Sequence, residues 1–138
     1  MQKIEVFWAV LRQFISSAVE ETTFNGRIDL TDLLFFGIQR SELILMSYGA
    51  GGSEVIQSMK LSMDEAKQIF LSIEQACAVQ NVVSVKVGEL SWMTDARPKS
   101  NSDKVVIVFD GPLGYTRAVA QRKDVVAAVA KFADRFGR

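Results

Sequence analysis

The sequence predicts an α+β domain: mainly one antiparallel sheet of five to six strands with three helices, in the order α-βββ-α-βββ-α. Three observations carry that expectation. Apolar residues recur at steps of three and four near the N-terminus (Ile4, Phe7, Trp8, Leu11, Phe14, Ile15, Ala18 and Val19), drawing one stripe along a helix. Short apolar runs, "LLFFGI", "LILM" and "VVIVF", are bounded by glycine-containing or polar turns, as strands are. Ser62-Met63-Asp64-Glu65 has the capping-box pattern that opens a helix. One domain is expected, made of an N-terminal amphipathic helix over 1–22, a strand-helix unit over 30–78 and a second over 82–137.

Taken in order, the N-terminal stripe holds six large apolar side chains, each worth ~1.5–3 kcal/mol when buried, so it needs a partner: a sheet or a second copy. "TTFNGRID" breaks the helix, because Asn25-Gly26 is a turn dipeptide that tolerates positive φ. "LLFFGI" and "LILM", separated by the polar "QRSE", read as a hairpin, and a third strand runs on to Leu61. The helix after Ser62 turns Ala66, Ile69, Phe70, Ile73, Ala76 and Cys77 to one face. Residues 82–93 read as one long strand whose inward phase slips at Gly88, as at a β-bulge. "TDARPKSNSD" is the most polar stretch and reads as a mobile loop, with Pro98 barring regular pairing. "VVIVF" is a central strand covered on both faces, "DGPLG" turns it into "YTRAVAQ", and a last helix from about Asp124 faces Val125, Val129, Phe132, Ala133 and Phe136 inward. The order strand, glycine turn, strand, helix thus occurs twice, which suggests an internal pseudo-duplication.

Composition excludes several functions. The 138 residues carry 16 basic and 16 acidic side chains, so no long-range field concentrates the protein on polyanions. There is no histidine, which removes the commonest general base and the commonest zinc ligand. A single cysteine excludes an internal disulfide and suits a reducing compartment. Arg12 and Gln13 interrupt the N-terminal apolar segment, so it reads neither as an export signal nor as a membrane span, and the expected location is the cytoplasm.

"SYGAGGSEV" puts Gly49, Gly51 and Gly52 after an apolar run, but a phosphate-binding loop must join a strand to a helix, and a strand follows here. A hairpin turn is the expectation. Cys77 lies on the apolar face of its helix and reads as an inert thiol. Asp29 and Asp32 beside Asn25 lack the ligand spacing of a calcium loop. No catalytic residue, cofactor or metal is expected. The charge is nevertheless polarised: residues 1–69 hold six Lys/Arg and nine Asp/Glu (net −3), and residues 70–138 hold ten and seven (net +3). In that basic half Trp92 and Tyr115, with Arg97, Lys99, Lys104, Arg117, Arg122 and Lys123, mix stacking surfaces with cations, the combination that binds single-stranded nucleic acid.

The alternation of helix and strands resembles that of type III secretion chaperones, which are dimeric and hold extended segments of partner proteins. The chain departs from them in being neutral and in having "FNGRIDL" where they carry a Gly-Leu-Pro-type turn. A strand-rich repeat followed by a helix is also similar to the order in PUR-type and Whirly-type single-strand binders, although none of their sequence motifs is present. The first expectation is a non-enzymatic binding module, a homodimer that engages a partner protein through a sheet edge or helix face. The alternative is a single-stranded nucleic-acid-binding protein that uses the basic and aromatic C-terminal half.

Overall fold

The computed structural model describes residues 24–49, 55–100, 102–112 and 114–137. The expected N-terminal helix and the glycines at 51 and 52 lie outside them. Eight strands and two helices follow in the order β1 (Arg27–Thr31), β2 (Leu34–Gln39), β3 (Glu42–Tyr48), β4 (Val55–Ser62), α1 (Met63–Val79), β5 (Val82–Val87), β6 (Leu90–Asp95), β7 (Lys104–Gly111), β8 (Gly114–Gln121) and α2 (Arg122–Phe136). The strands form two four-stranded antiparallel sheets, β1-β2-β3-β4 and β5-β6-β7-β8. The fold class remains α+β, but the single sheet of five to six strands is corrected to two separate meanders, each closed by a helix.

Two local features hid the extra strands. β1 lies in a stretch whose Asn25-Gly26 reads as a turn; its backbone nevertheless runs beside β2, with Asn25 N–H donating to the Ile38 carbonyl at 2.7 Å and Ile38 N–H to that of Gly26 at 2.8 Å. The phase slip at Gly88 is not a bulge. It is a two-residue hairpin loop between β5 and β6, with Val87 opposite Leu90 and Gly88 at φ +59°, the glycine-first loop that matches strand twist. The glycine segment after β3 joins two antiparallel strands, Tyr48 pairing with Val55.

α1 starts where its sequence dictates: Glu65 N–H donates to Ser62 Oγ at 3.1 Å and Ser62 N–H to Glu65 Oε1 at 2.9 Å. α2 begins at Arg122, before Asp124, because a distant loop caps it. Arg122 N–H donates to the Asp103 carbonyl at 3.0 Å, and Gln121 gives no side-chain cap.

The helices cross over. α1 packs chiefly on β5, the first strand of the second sheet, and α2 chiefly on β1, the first strand of the first. Neither strand-helix unit therefore completes its own core. A single apolar cluster results, drawn from both sheets and both helices. Five aromatic rings run through it: Phe132 of α2 stacks on Phe70 of α1 (4.2 Å, 8°), Phe70 meets Phe36 of β2 (4.9 Å), Phe36 meets Trp92 of β6 (6.0 Å), and Trp92 stacks on Phe109 of β7 (5.2 Å, 6°). The buried indole N–H of Trp92 donates to Thr94 Oγ1 at 3.1 Å, so the large ring leaves no polar atom unpaired.

The first sheet also buries apolar side chains on its second face. Phe35 there carries the Arg27 guanidinium 3.5 Å above its ring, stacks with Tyr48 and meets the edge of Phe24. Phe24 reaches that face because residue 37 has no side chain; a Cβ on Gly37 would collide with the Phe24 ring. Gly37→Ala is therefore expected to lower stability by ~1–3 kcal/mol, the range for overpacking, as measured by urea unfolding, and Phe24→Ala in the same chain should relieve part of that cost.

Candidate functional site

Alternation along β5 to β8 sorts the second sheet into two faces. Val83, Val85, Val87, Leu90, Trp92, Thr94, Val105, Ile107, Phe109, Ala118 and Ala120 turn toward the core or pack against it. The opposite face is arranged in rows by the strand register: Lys86, Ser91, Asp110 and Tyr115 in one, Ser84, Met93, Val108 and Arg117 in the next, then Val82, Asp95, Val106 and Val119, with Lys104 beside Gln121 at the end. Most of this face is open. Tyr115 is 64% exposed and Val119 46%, and a shallow dish of about 290 Å³ lies among Ser84, Lys86, Ser91, Met93, Val108 and Asp110.

The eight residues singled out in the sequence divide accordingly. Tyr115, Arg117 and Lys104 share the open face. Arg97 and Lys99 gather at its corner, around the Asp95 carboxylate. Trp92 does not belong to the surface: it is 1% exposed and stacked in the core. Arg122 is committed to structure, its Nε donating to Asp103 Oδ1 at 2.7 Å and its Nη2 to the Ala96 carbonyl at 3.0 Å. Lys123 is exposed on the first turn of α2, away from the sheet rows. Among the described residues of "TDARPKSNSD", expected as a mobile loop, Asp95 pairs with Arg97 and Lys99, Asp103 pairs with Arg122 of α2, and Lys99 is bridged to Ser102.

Sequence reasoning missed Lys86, although the alternation of "VVSVKV" puts Ser84 and Lys86 in the polar phase and so on this face. With it, five cations (Lys86, Arg97, Lys99, Lys104 and Arg117) stand on or around the face against two carboxylates (Asp95 and Asp110). The Asp95 carboxylate accepts from Arg97 Nε at 2.9 Å, Arg97 Nη2 at 2.7 Å and the Arg97 backbone N–H at 3.1 Å. These bonds, the Arg97 side chain first, outweigh the opposing effect of burial and hold its pKa at about 2, with Lys99 adding to the pull.

A second surface lies on the helices. Between α1 and α2 runs an apolar groove of about 140 Å³, floored by Phe70 and Phe132 and flanked by Lys67, Leu71, Glu74 and Ala133. Leu71 is 52% exposed and Val126 of α2 50%. Leu71 of α1 falls outside the inward phase of Ile69, Phe70 and Ile73, a signal present in the sequence and unused there.

The partly buried Cys77 thiol is pushed up from its ordinary pKa by burial, with Arg122 pulling weakly the other way, so it stays protonated. Asp29 pairs with Arg27 at 2.8 Å, and among the described residues no group of acidic or thiol side chains is arranged to hold a metal ion. Among the same residues no helix is long and apolar enough to cross a membrane. No protein family matches the chain, and no curated protein matches it either.

The Asp95 cluster has a pH signature. Because its pKa is lowered in the folded state, its contribution is present above the ordinary value of 3.8 and is lost as pH falls from there through about 2. Asp95→Asn is expected to cost on the order of 1 kcal/mol at pH 7, discounted because the Arg97 side chain is 62% exposed. The gap between variant and wild type in urea unfolding should close between pH 4 and pH 2; a gap independent of pH would assign the cost to packing.

Proposed function

We propose that the protein is a non-enzymatic binding module whose second sheet takes a single-stranded nucleic acid across its outer face. The observation that carries this reading is that Tyr115 and Arg117, neighbours on one face of β8, share an open sheet surface with Lys86 and Lys104. Four strands at ~4.8 Å spacing make that surface ~14 Å from β5 to β8, so Lys86 and Tyr115, at opposite ends of one row, flank a width that an extended chain can span. A base stacked on the Tyr115 ring supplies ~1–3 kcal/mol whatever its identity, and the cations follow the backbone. Asp110, in the same row, repels phosphate and favours a path along Arg117. The neutral whole-chain charge provides no steering, so binding depends on these local contacts. The two strand-rich repeats, each ending in a helix, are also the feature on which the likeness to PUR-type and Whirly-type binders rested.

Engagement of a protein partner by a helix face is the second reading, favoured by the exposed Leu71 at the groove between α1 and α2.

A titration of a fluorescently labelled single-stranded oligonucleotide tests the first reading. The affinity should fall with salt along a slope of about −2, as for three phosphate contacts at ~0.7 each on a single strand. Tyr115→Ala should weaken binding by ~5- to 100-fold, corresponding to one lost base stack, while Tyr115→Phe retains it. Lys86→Glu with Arg117→Glu should abolish it without lowering the melting temperature, since both side chains are exposed. No binding at low salt, or affinity untouched by these substitutions, contradicts the proposal.

A further inference from the structure

We infer that the corner of the open sheet face, where β6 ends, is a phosphate subsite: Arg97 and Lys99 supply its donors, and Asp95 is a positioning residue that holds the Arg97 guanidinium ready for the anion. The inference deepens the nucleic-acid reading of that face and rests on it for the source of the phosphate.

Asp95 closes β6, and its side chain is sunk under the loop that follows, 11% exposed against 62% for Arg97 above it. The two are joined side by side, Arg97 Nε donating to Oδ1 at 2.9 Å and Nη2 to Oδ2 at 2.7 Å, so the planar fork has a fixed orientation. Of the five N–H donors of a guanidinium, this bridge takes only those on one side. The others, on Nη1 and the far side of Nη2, form the end of the fork, whose spacing matches two oxygens of one phosphate.

Lys99 is tethered to the same unit. Its Nζ lies 3.9 Å from Asp95 Oδ1 and donates to the Arg97 carbonyl at 3.3 Å. Two cations are thereby held against one carboxylate, which leaves the corner positive. Lys104 adds to it: Asp95 pairs with Val106, and Lys104 stands two residues before Val106, ~6.8 Å away on the same face of β7. Arg122 contributes no excess, because Asp103 balances it at 2.7 Å.

Stability alone gives the side-chain bridge little to do. The Arg97 backbone N–H already donates to Asp95 Oδ1 at 3.1 Å and fixes the chain there, and exposed ion pairs add little. What the bridge supplies is order: a guanidinium already held in place loses less entropy on taking a phosphate. Asp95 therefore acts on a phosphate in two opposite ways. Its charge repels the anion, and its grip on Arg97 favours it.

That opposition makes the sign of one substitution informative, read by titrating a labelled single-stranded oligonucleotide into the full chain at fixed salt. Asp95→Asn should weaken binding ~2- to 10-fold although it removes a negative charge, the loss expected when one long side chain must be ordered on binding. Arg97→Gln should weaken binding and flatten its salt dependence by ~0.7, one single-strand phosphate contact. In the Arg97→Gln background Asp95→Asn should cause no further loss, since only repulsion is then removed. Inorganic phosphate, titrated at constant ionic strength, is the second probe. The Arg97 Nε–H resonance, identified by its disappearance in Arg97→Gln, should shift saturably. Oligonucleotides with and without a terminal phosphate then tell an end group from an internal phosphate as the source.

Binding that Asp95→Asn strengthens or leaves unchanged would overturn the positioning role, and so would a weakening that persists in the Arg97→Gln background, which is the mark of general damage to the loop. An oligonucleotide that binds but is indifferent to Arg97→Gln overturns the subsite while the sheet face stands. A saturable phosphate shift at Arg97 without oligonucleotide binding supports the subsite and removes the face. Neither a shift nor an effect of Arg97→Gln overturns the inference.

Discussion

The stack of Phe132 on Phe70, continued through Phe36 and Trp92 to Phe109, is the interaction on which the rest of the structure depends. Its members come from both helices and both sheets, so no part of the chain folded alone could assemble it. Each fully buried aromatic ring contributes roughly 1.5–3 kcal/mol by leaving water, and each favourable ring pair a further ~0.5–1.5 kcal/mol. A sum of that size is comparable with the whole net stability of a domain, ~5–15 kcal/mol. The crossover of the helices follows. α1 can place Phe70 against Phe36 and Phe132 only by lying toward β5, and α2 reciprocates on β1, where Lys131 Nζ donates to the Arg27 carbonyl at 2.7 Å.

That arrangement also decides which surfaces remain for function. The inner faces of both sheets are used up by the core. The second face of the first sheet is apolar and buried at Phe35 and Met46, whereas the second face of the second sheet carries serine, lysine, arginine, aspartate and an exposed tyrosine. Two sheets of the same topology thus have opposite surfaces, and the difference lies in the polar phase of β5 to β8. Arg97 of the polar loop and Arg122 at the start of α2, which look alike as cations in the sequence, are separated by their partners. Arg97 lies over the sheet corner with 62% of its side chain exposed, and Arg122 is drawn down between Asp103 and the Ala96 carbonyl with 21% exposed.

Local chemistry was legible and long-range pairing was not. Ser62 and Glu65 announced the start of α1 because a capping box is complete within four residues. The inward faces of both helices followed from their periodicity, and β7 from its unbroken apolar run. α2 began earlier than Asp124 suggested because its cap, Asp103, lies 19 residues away from Arg122. The hairpin at Gly88 and a bulge at Gly88 shift the apolar phase alike, so only the pairing of Val87 with Leu90 separates them. Whether eight strands make one sheet or two is likewise a property of which edges meet, and alternation along a strand carries no information about its neighbour. For the site, Tyr115 and Arg117 were legible as exposed residues of one strand. Trp92 was not, because an aromatic residue offers the same apolar area to a base and to Phe109.

The central claim is that the shared aromatic core makes both sheets one cooperative unit, and unfolding seen separately from each region tests it most directly. With Trp8 replaced by Phe, Trp92 fluorescence reports the second sheet, and far-ultraviolet circular dichroism reports all strands and helices together. The account predicts that the two signals follow a single urea transition, and that Phe70→Ala, in the helix of the first unit, moves both by the same ~3–5 kcal/mol. Two separated transitions, or a Phe70→Ala variant in which the Trp92 signal keeps its wild-type midpoint, would contradict it.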